Sequence, residues 1–256
     1  MKPLSHLERG FFIAMETATD PRLVRARVLV VGVGGLGSPV ALALAAAGVG
    51  TLGLVDPDVV EVSNLHRQSL YATADVGRAK VEVAAERLRA LVPSLRLETW
   101  RERFGPGHTA RARAFDLLVD GTDTIAAKFA LNDVAVAAGV PLLHAGVLGF
   151  SAQLLTVLPH VSACYRCVFE EAPPPGETPS CEEAGVLGPV AALAGTLQAA
   201  EAVRLLTDAG PLFVNRLLSI DTRAGRYRLV PLAANPRCTA CRAAAGAPAT
   251  GRSDAP

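Results

Sequence analysis

The residue types able to do chemistry fall into three groups along this 256-residue chain. The first is a glycine turn, Gly32, Gly34, Gly35 and Gly37, set between the aliphatic run VLVV at 28–31 and a helix predicted over 36–47. Such a turn brings a phosphate against bare backbone N–H groups at a helix N-terminus. A second apolar run at 52–55 ends on Asp56, an acid placed to accept hydrogen bonds from a ribose. By itself the turn suits NAD, FAD, S-adenosylmethionine or ATP alike. The next segment carries Ser63, Asn64, Leu65, His66, Arg67 and Gln68, and Lys80 follows at a helix start. Arginine and lysine converging near the turn would neutralise a triphosphate and the charge that builds when it is displaced. Further on, VDGTD at 119–123 closes a strand with two acids around Gly121. A carboxylate there lies in the ligand crevice of a doubly wound sheet and can hold Mg2+. Asp120 is available to cap the following helix, which favours Asp123 for the metal.

The second group is cysteine. Of five, four form two CxxC pairs, Cys164/Cys167 and Cys238/Cys241. Two such knuckles supply four thiolates in a tetrahedron, the closed and structural form of a Zn2+ site. A reducing compartment and an odd count argue against disulfides. The third group is the remaining Cys181, which follows PPPGETPS and precedes EEAGVLGP. At a helix N-terminus its thiolate would be stabilised, although Glu182 and Glu183 oppose that shift.

These residues need a scaffold. Helical period runs from Lys80 to a stop at Pro93, and strands are predicted over 95–100, 116–120 and 141–145. A helix is predicted over 124–138, closed by Gly139. Strands alternating with helices predict an α/β, Rossmann-like, doubly wound and mainly parallel sheet. After Gly149 the pattern predicts antiparallel strands over 151–158, 213–220 and 226–231, with a long helix over 195–206. The proline-rich acidic stretch 170–180 reads as a loop, 1–26 as an N-terminal arm or helix, and 243–256 as a disordered tail.

Half of the residues are hydrophobic and 5% are aromatic, which favours helices packed closely on a sheet. A net charge of +1 implies neither nucleic acid nor a membrane surface as partner. The first ten residues lack an apolar signal core, and a cytoplasmic setting is expected.

Taken in order, GVGGLG, the terminal LVD, SNLHRQ, VGRAK, DGTD, CYRC, CEEAGVLGP and NPRCTAC resemble the MoeB/ThiF (HesA) adenylyltransferases. That family includes the molybdopterin-synthase adenylyltransferase and belongs with the E1-like ubiquitin-activating enzymes. The resemblance spans residues 27–241. It implies a single adenylation unit over 27–242, with a nucleotide-binding half at 27–150 and an antiparallel, zinc-bearing half at 151–242. It implies Mg-ATP as co-substrate and a small β-grasp sulfur-carrier protein as partner, whose C-terminal Gly-Gly carboxylate is adenylated. By motif, Gly35 and Asp56 would meet the adenosine, Ser63 to Arg67 and Lys80 the phosphates, and Asp123 with Thr124 the metal or nucleotide.

Cys181 matches the cysteine that some members use for a covalent link to the carrier. Arg9 matches an arginine that reaches a partner subunit, although the surrounding segment departs from the family's RYxRQ-like pattern. A homodimer is implied. No sulfurtransferase domain follows the knuckles, so a separate sulfur donor is expected. Three rival functions share parts of this pattern. One is an E1-like enzyme that adenylates a different acceptor, a peptide or a tRNA base. A docking scaffold would bind nucleotide without releasing pyrophosphate. A nicotinamide-dependent dehydrogenase leaves SNLHRQ, Lys80 and the knuckles unexplained.

Overall fold

The computed structural model describes residues 20–174 and 185–241. Expectations for Arg9, Cys181, the tail and most of the N-terminal arm lie outside the described residues.

The apolar runs become strands. β1 (Arg27–Val31) and β2 (Thr51–Val55) are buried along nearly their whole length, as strands covered on both faces must be. A short helix α1 (Pro21–Arg25) leads into β1, and α2 (Gly37–Ala46) joins β1 to β2. A loop containing two short 3-10 turns, Val62–Asn64 and Thr73–Asp75, then reaches α3 (Lys80–Leu91). There follow β3 (Arg96–Trp100), α4 (Thr109–Ala112), β4 (Leu117–Asp120), α5 (Ile125–Ala138) and β5 (Leu142–Leu148). The rest comprises β6 (Ser151–Val157), α6 (Tyr165–Val168), α7 (Gly188–Leu206), β7 (Arg216–Asp221) and β8 (Arg226–Pro231).

All eight strands among the described residues join one sheet in the order β3-β2-β1-β4-β5-β6-β7-β8. The first five are parallel and the rest antiparallel. The order reverses between β1 and β4, so the ligand crevice of this architecture opens at their C-terminal ends. On one face, Val28, Val30, Leu52, Leu54 and Val119 pack against Leu44 of α2, Leu88 of α3 and Ala202 of α7. On the other, Leu29, Leu118 and Leu142 meet Leu131 and Ala135 of α5 together with Cys164 and Cys238. The two knuckles are therefore part of the core.

Three predicted elements differ from the structure. The helix predicted from 195 begins at Gly188. Glycine at 195 breaks nothing; a Cβ there would sit 2.6 Å from the Leu36 oxygen, so glycine lets α7 cross α2 closely. The strand predicted over 213–220 begins only at Arg216, because Asn215 takes a left-handed turn with φ of 53°. β5 runs on to Leu148, held by its antiparallel pairing with β6.

Candidate functional site

A cavity of about 310 Å³ opens at the C-terminal ends of β1, β2 and β4, within the usual size range of a small-molecule site. Gly32, Gly34, Gly35, Asp56, Arg67, Gln68, Lys80, Asp123 and Thr124 all line it. Gly37 does not; it lies inside the turn, where a Cβ would fall 1.9 Å from the Gly32 oxygen. Its role is to let the helix start against the strand end.

Ser63, Asn64, Leu65 and His66 also lie away from the cavity wall. Asn64 acts through its neighbour, its Oδ1 accepting from Gln68 Nε2 at 2.6 Å. The Ser63 carbonyl accepts from Arg67 Nη1 at 3.2 Å. The motif thus uses its front half to aim the two side chains that reach the cavity.

Asp56 is 4% exposed and anchored by the Val33 and Asp58 amides at 2.8 and 2.9 Å. Burial raises its pKa, against the nearby charge of Lys80 and those two hydrogen bonds. Lys80 opens α3 with its Nζ donating to Asp58 Oδ2 at 3.1 Å. Asp58, Glu102, Arg103, Phe104 and Lys128 complete the polar and aromatic parts of the wall, and none was expected from motif spacing.

Asp120 is neither helix cap nor metal ligand. Thr124 caps α5, its side chain accepting from the Ala127 amide at 3.3 Å. The Asp120 carboxylate is 1% exposed and saturated. Its Oδ1 accepts from the Thr122 amide and hydroxyl at 2.9 and 2.6 Å. Its Oδ2 accepts from Lys128 Nζ at 3.1 Å and His144 Nδ1 at 2.7 Å. Burial alone would raise its pKa, but the Lys128 charge and the His144 bond outweigh it and hold the carboxyl well below the usual range. Because Asp120 is ionised, His144 Nδ1 carries the proton in that bond. An ionisable residue inside the apolar run PLLHA was the available sign of this network, since buried polar groups are retained only when bonded.

His144 yields a pH prediction. Burial lowers its pKa from 6.5, the Asp120 bond opposes this, and the Lys128 charge adds to the lowering. A folded-state pKa below the unfolded one gives stability that is full above 6.5 and lost as pH falls through the folded value. The melting temperature should therefore drop on acidification below 6.5, and His144→Asn should flatten that drop. Superimposable pH profiles for the two proteins would contradict it.

The cysteine pairs converge beneath α5. Sγ separations are 3.6 Å for Cys164–Cys238, 3.9 Å for Cys164–Cys167 and 3.8 Å for Cys167–Cys241. A tetrahedron with Zn–S bonds of about 2.3 Å has edges of about 3.8 Å, so these four cysteines could bind zinc. The Tyr165 amide within the first knuckle donates to Asn132 Oδ1 on α5 at 2.9 Å.

The ThiF family model matches residues 12–240. The chain belongs to the ThiF family. Among curated ThiF relatives, the sulfur carrier protein adenylyltransferase of Thermus thermophilus is 44% identical over 226 residues, covering 86% of this chain and 83% of that protein. The SAMP-activating enzyme E1 of Haloferax volcanii is 42% identical over 221 residues, covering 86% and 82%. The fold resembles that of E. coli MccB crystallised with MccA-N7isoASN, with a TM-score of 0.79 at 22% identity over 94% of this chain and 75% of that one. The resemblance drawn from the motifs is thus borne out, and so is the mixed α/β sheet.

Proposed function

We propose that this ThiF-family protein adenylates the C-terminal Gly-Gly carboxylate of a small ubiquitin-like sulfur-carrier protein, using ATP and releasing pyrophosphate. The observation that carries this reading is one cavity that gathers the glycine turn, Asp56, Arg67, Lys80 and Asp123 at the strand switch point. The identity with a sulfur carrier protein adenylyltransferase and a SAMP-activating enzyme E1, over most of their length, supports it.

A carboxylate oxygen of the carrier forms a bond to the α-phosphorus while the bond to pyrophosphate breaks. A terminal carboxylate is already ionised at neutral pH, so the attacking group needs no general base. The protein's work is positioning and charge neutralisation. Asp56 accepts from the ribose. Arg67 and Lys80 meet the phosphates and the charge leaving with pyrophosphate. Asp123 offers the hard oxygen donor that Mg2+ takes, and the ion would add positive charge at the phosphate oxygens. The reading includes a homodimer, as the family resemblance implies, together with a separate sulfur donor and a cytoplasmic setting. Among the described residues no helix is long and apolar enough to cross a membrane.

The test is the mass of a Gly-Gly-ended carrier after incubation with the protein and Mg-ATP. Addition of one AMP at the C-terminus is expected, and a carrier left unmodified beside hydrolysed ATP would overturn the reading.

In the same reading Cys164, Cys167, Cys238 and Cys241 hold one Zn2+ per chain, structural because four thiolates leave no open position. The metal clips the segment after β8 to the one after β6. If the clip contributes on the order of 3 kcal/mol, as a cross-link closing a long loop does, its removal should lower the melting temperature by about 6–12 °C. Metal analysis with a chelator titration checks this; an unchanged melting point in metal-free protein would contradict it.

A further inference from the structure

Among the described residues four cationic side chains line the cavity, Arg67, Lys80, Arg103 and Lys128, and one of them has no donor to give a ligand. Lys128 is 8% exposed, and its ammonium donates to Asp120 Oδ2 at 3.1 Å, Thr122 O at 2.7 Å and Ala145 O at 2.7 Å. An ammonium has three N–H groups, so its bonding capacity is spent within the protein.

The acceptors show what those bonds do. The paired register of β4 with β5 ends at Val119 and Leu143. Beyond it the chain leaves the sheet through the turn 121–124, which carries Asp123. Lys128, reaching from α5, ties the Thr122 carbonyl on this turn to the Ala145 carbonyl on β5. On the opposite face, Gln198 of α7 donates through Nε2 to Asp120 O and Leu143 O, both at 3.0 Å. Two side chains from opposite helical layers thus replace the ladder where it stops.

We propose that Lys128 is a positioning residue for adenylation: it fixes the turn that presents Asp123 and takes no phosphate itself. This rests on the reading of the cavity as an adenylation site. Asp120 and His144 serve the same end. The carboxylate balances the buried ammonium, and His144 holds the carboxylate from the β5 side.

Lys128→Met alone leaves the Asp120 charge buried without its counter-ion, a strongly destabilising change. The test therefore pairs it with Asp120→Asn, removing both charges together. Wild-type protein is assayed first for carrier-dependent ATP–pyrophosphate exchange; its absence would defeat the adenylation reading and this proposal with it. With wild type active, the folded double variant should bind ATP within about threefold of normal, because no bond to the nucleotide is lost. Its exchange rate should fall by about tenfold or more, since misplacement of a reacting group by about 1 Å is costly. Amide hydrogen exchange over 121–124 should rise while β1 stays protected. An unchanged rate, or a loss confined to ATP affinity with the turn still protected, would overturn the proposal and leave the adenylation reading intact.

Discussion

Lys80→Ala is expected to cut carrier-dependent ATP–pyrophosphate exchange by roughly a hundredfold or more, the usual cost of one charged contact to a transition state. The chain should stay folded. The partner of Lys80 is Asp58, whose side chain is 61% exposed and is not stranded by the loss. Lys80 itself is buried, with 7% of its side chain exposed, so the loss should exceed that of a surface ion pair, about 1–3 kcal/mol, and lower the melting temperature by about 2–12 °C. The loss should also reach Asp56, because the Lys80 charge is the largest influence opposing the upward push of burial on that carboxyl. Asp123→Ala should match the activity loss through the opposite charge. Near-normal exchange in both variants would remove these residues from the site.

Gly37→Ala should produce the largest stability loss of any single methyl addition among the described residues at the site. The new Cβ would lie 1.9 Å from the Gly32 oxygen and 2.9 Å from its carbonyl carbon. Gly32 cannot retreat. Its amide donates to Val55 O at 2.7 Å, and its α-carbon faces the Gly121 backbone across the β1–β4 crevice. Overpacking against fixed backbone costs about 3 kcal/mol or more, a fall of about 6–12 °C in melting temperature. Gly105→Ala is the control, because nothing lies within 4 Å of a Cβ there and its φ of −171° suits any residue. Equal melting points for the two variants would show that the turn can open.

What could be read before the structure was local. The runs at 28–31 and 52–55 became buried strands because a parallel strand covered on both faces must be apolar throughout. The glycine turn and Asp56 announced the crevice, and the CxxC spacing announced the thiol cluster. Missed were residues whose roles depend on a neighbouring element. Lys128 stands four positions after the helix cap Thr124, on the side that faces the site, yet only the Ala145 carbonyl of β5 reveals what it ties. Asp58 and Arg103 enter the cavity from the segments that follow β2 and β3. Gly195 looked like a helix boundary because glycine weakens helices. It sits within α7 because two helices cross there with no room for a side chain.

The central claim is that the cavity activates a carboxylate at the end of a small protein. The most direct measurement is the exchange of labelled pyrophosphate into ATP with an intact Gly-Gly-ended carrier and with the same carrier lacking its last glycine. Exchange should rise with the intact carrier, saturate, and be lost on the truncated one. Exchange that proceeds equally with both carriers, or with neither while ATP still binds, would contradict it.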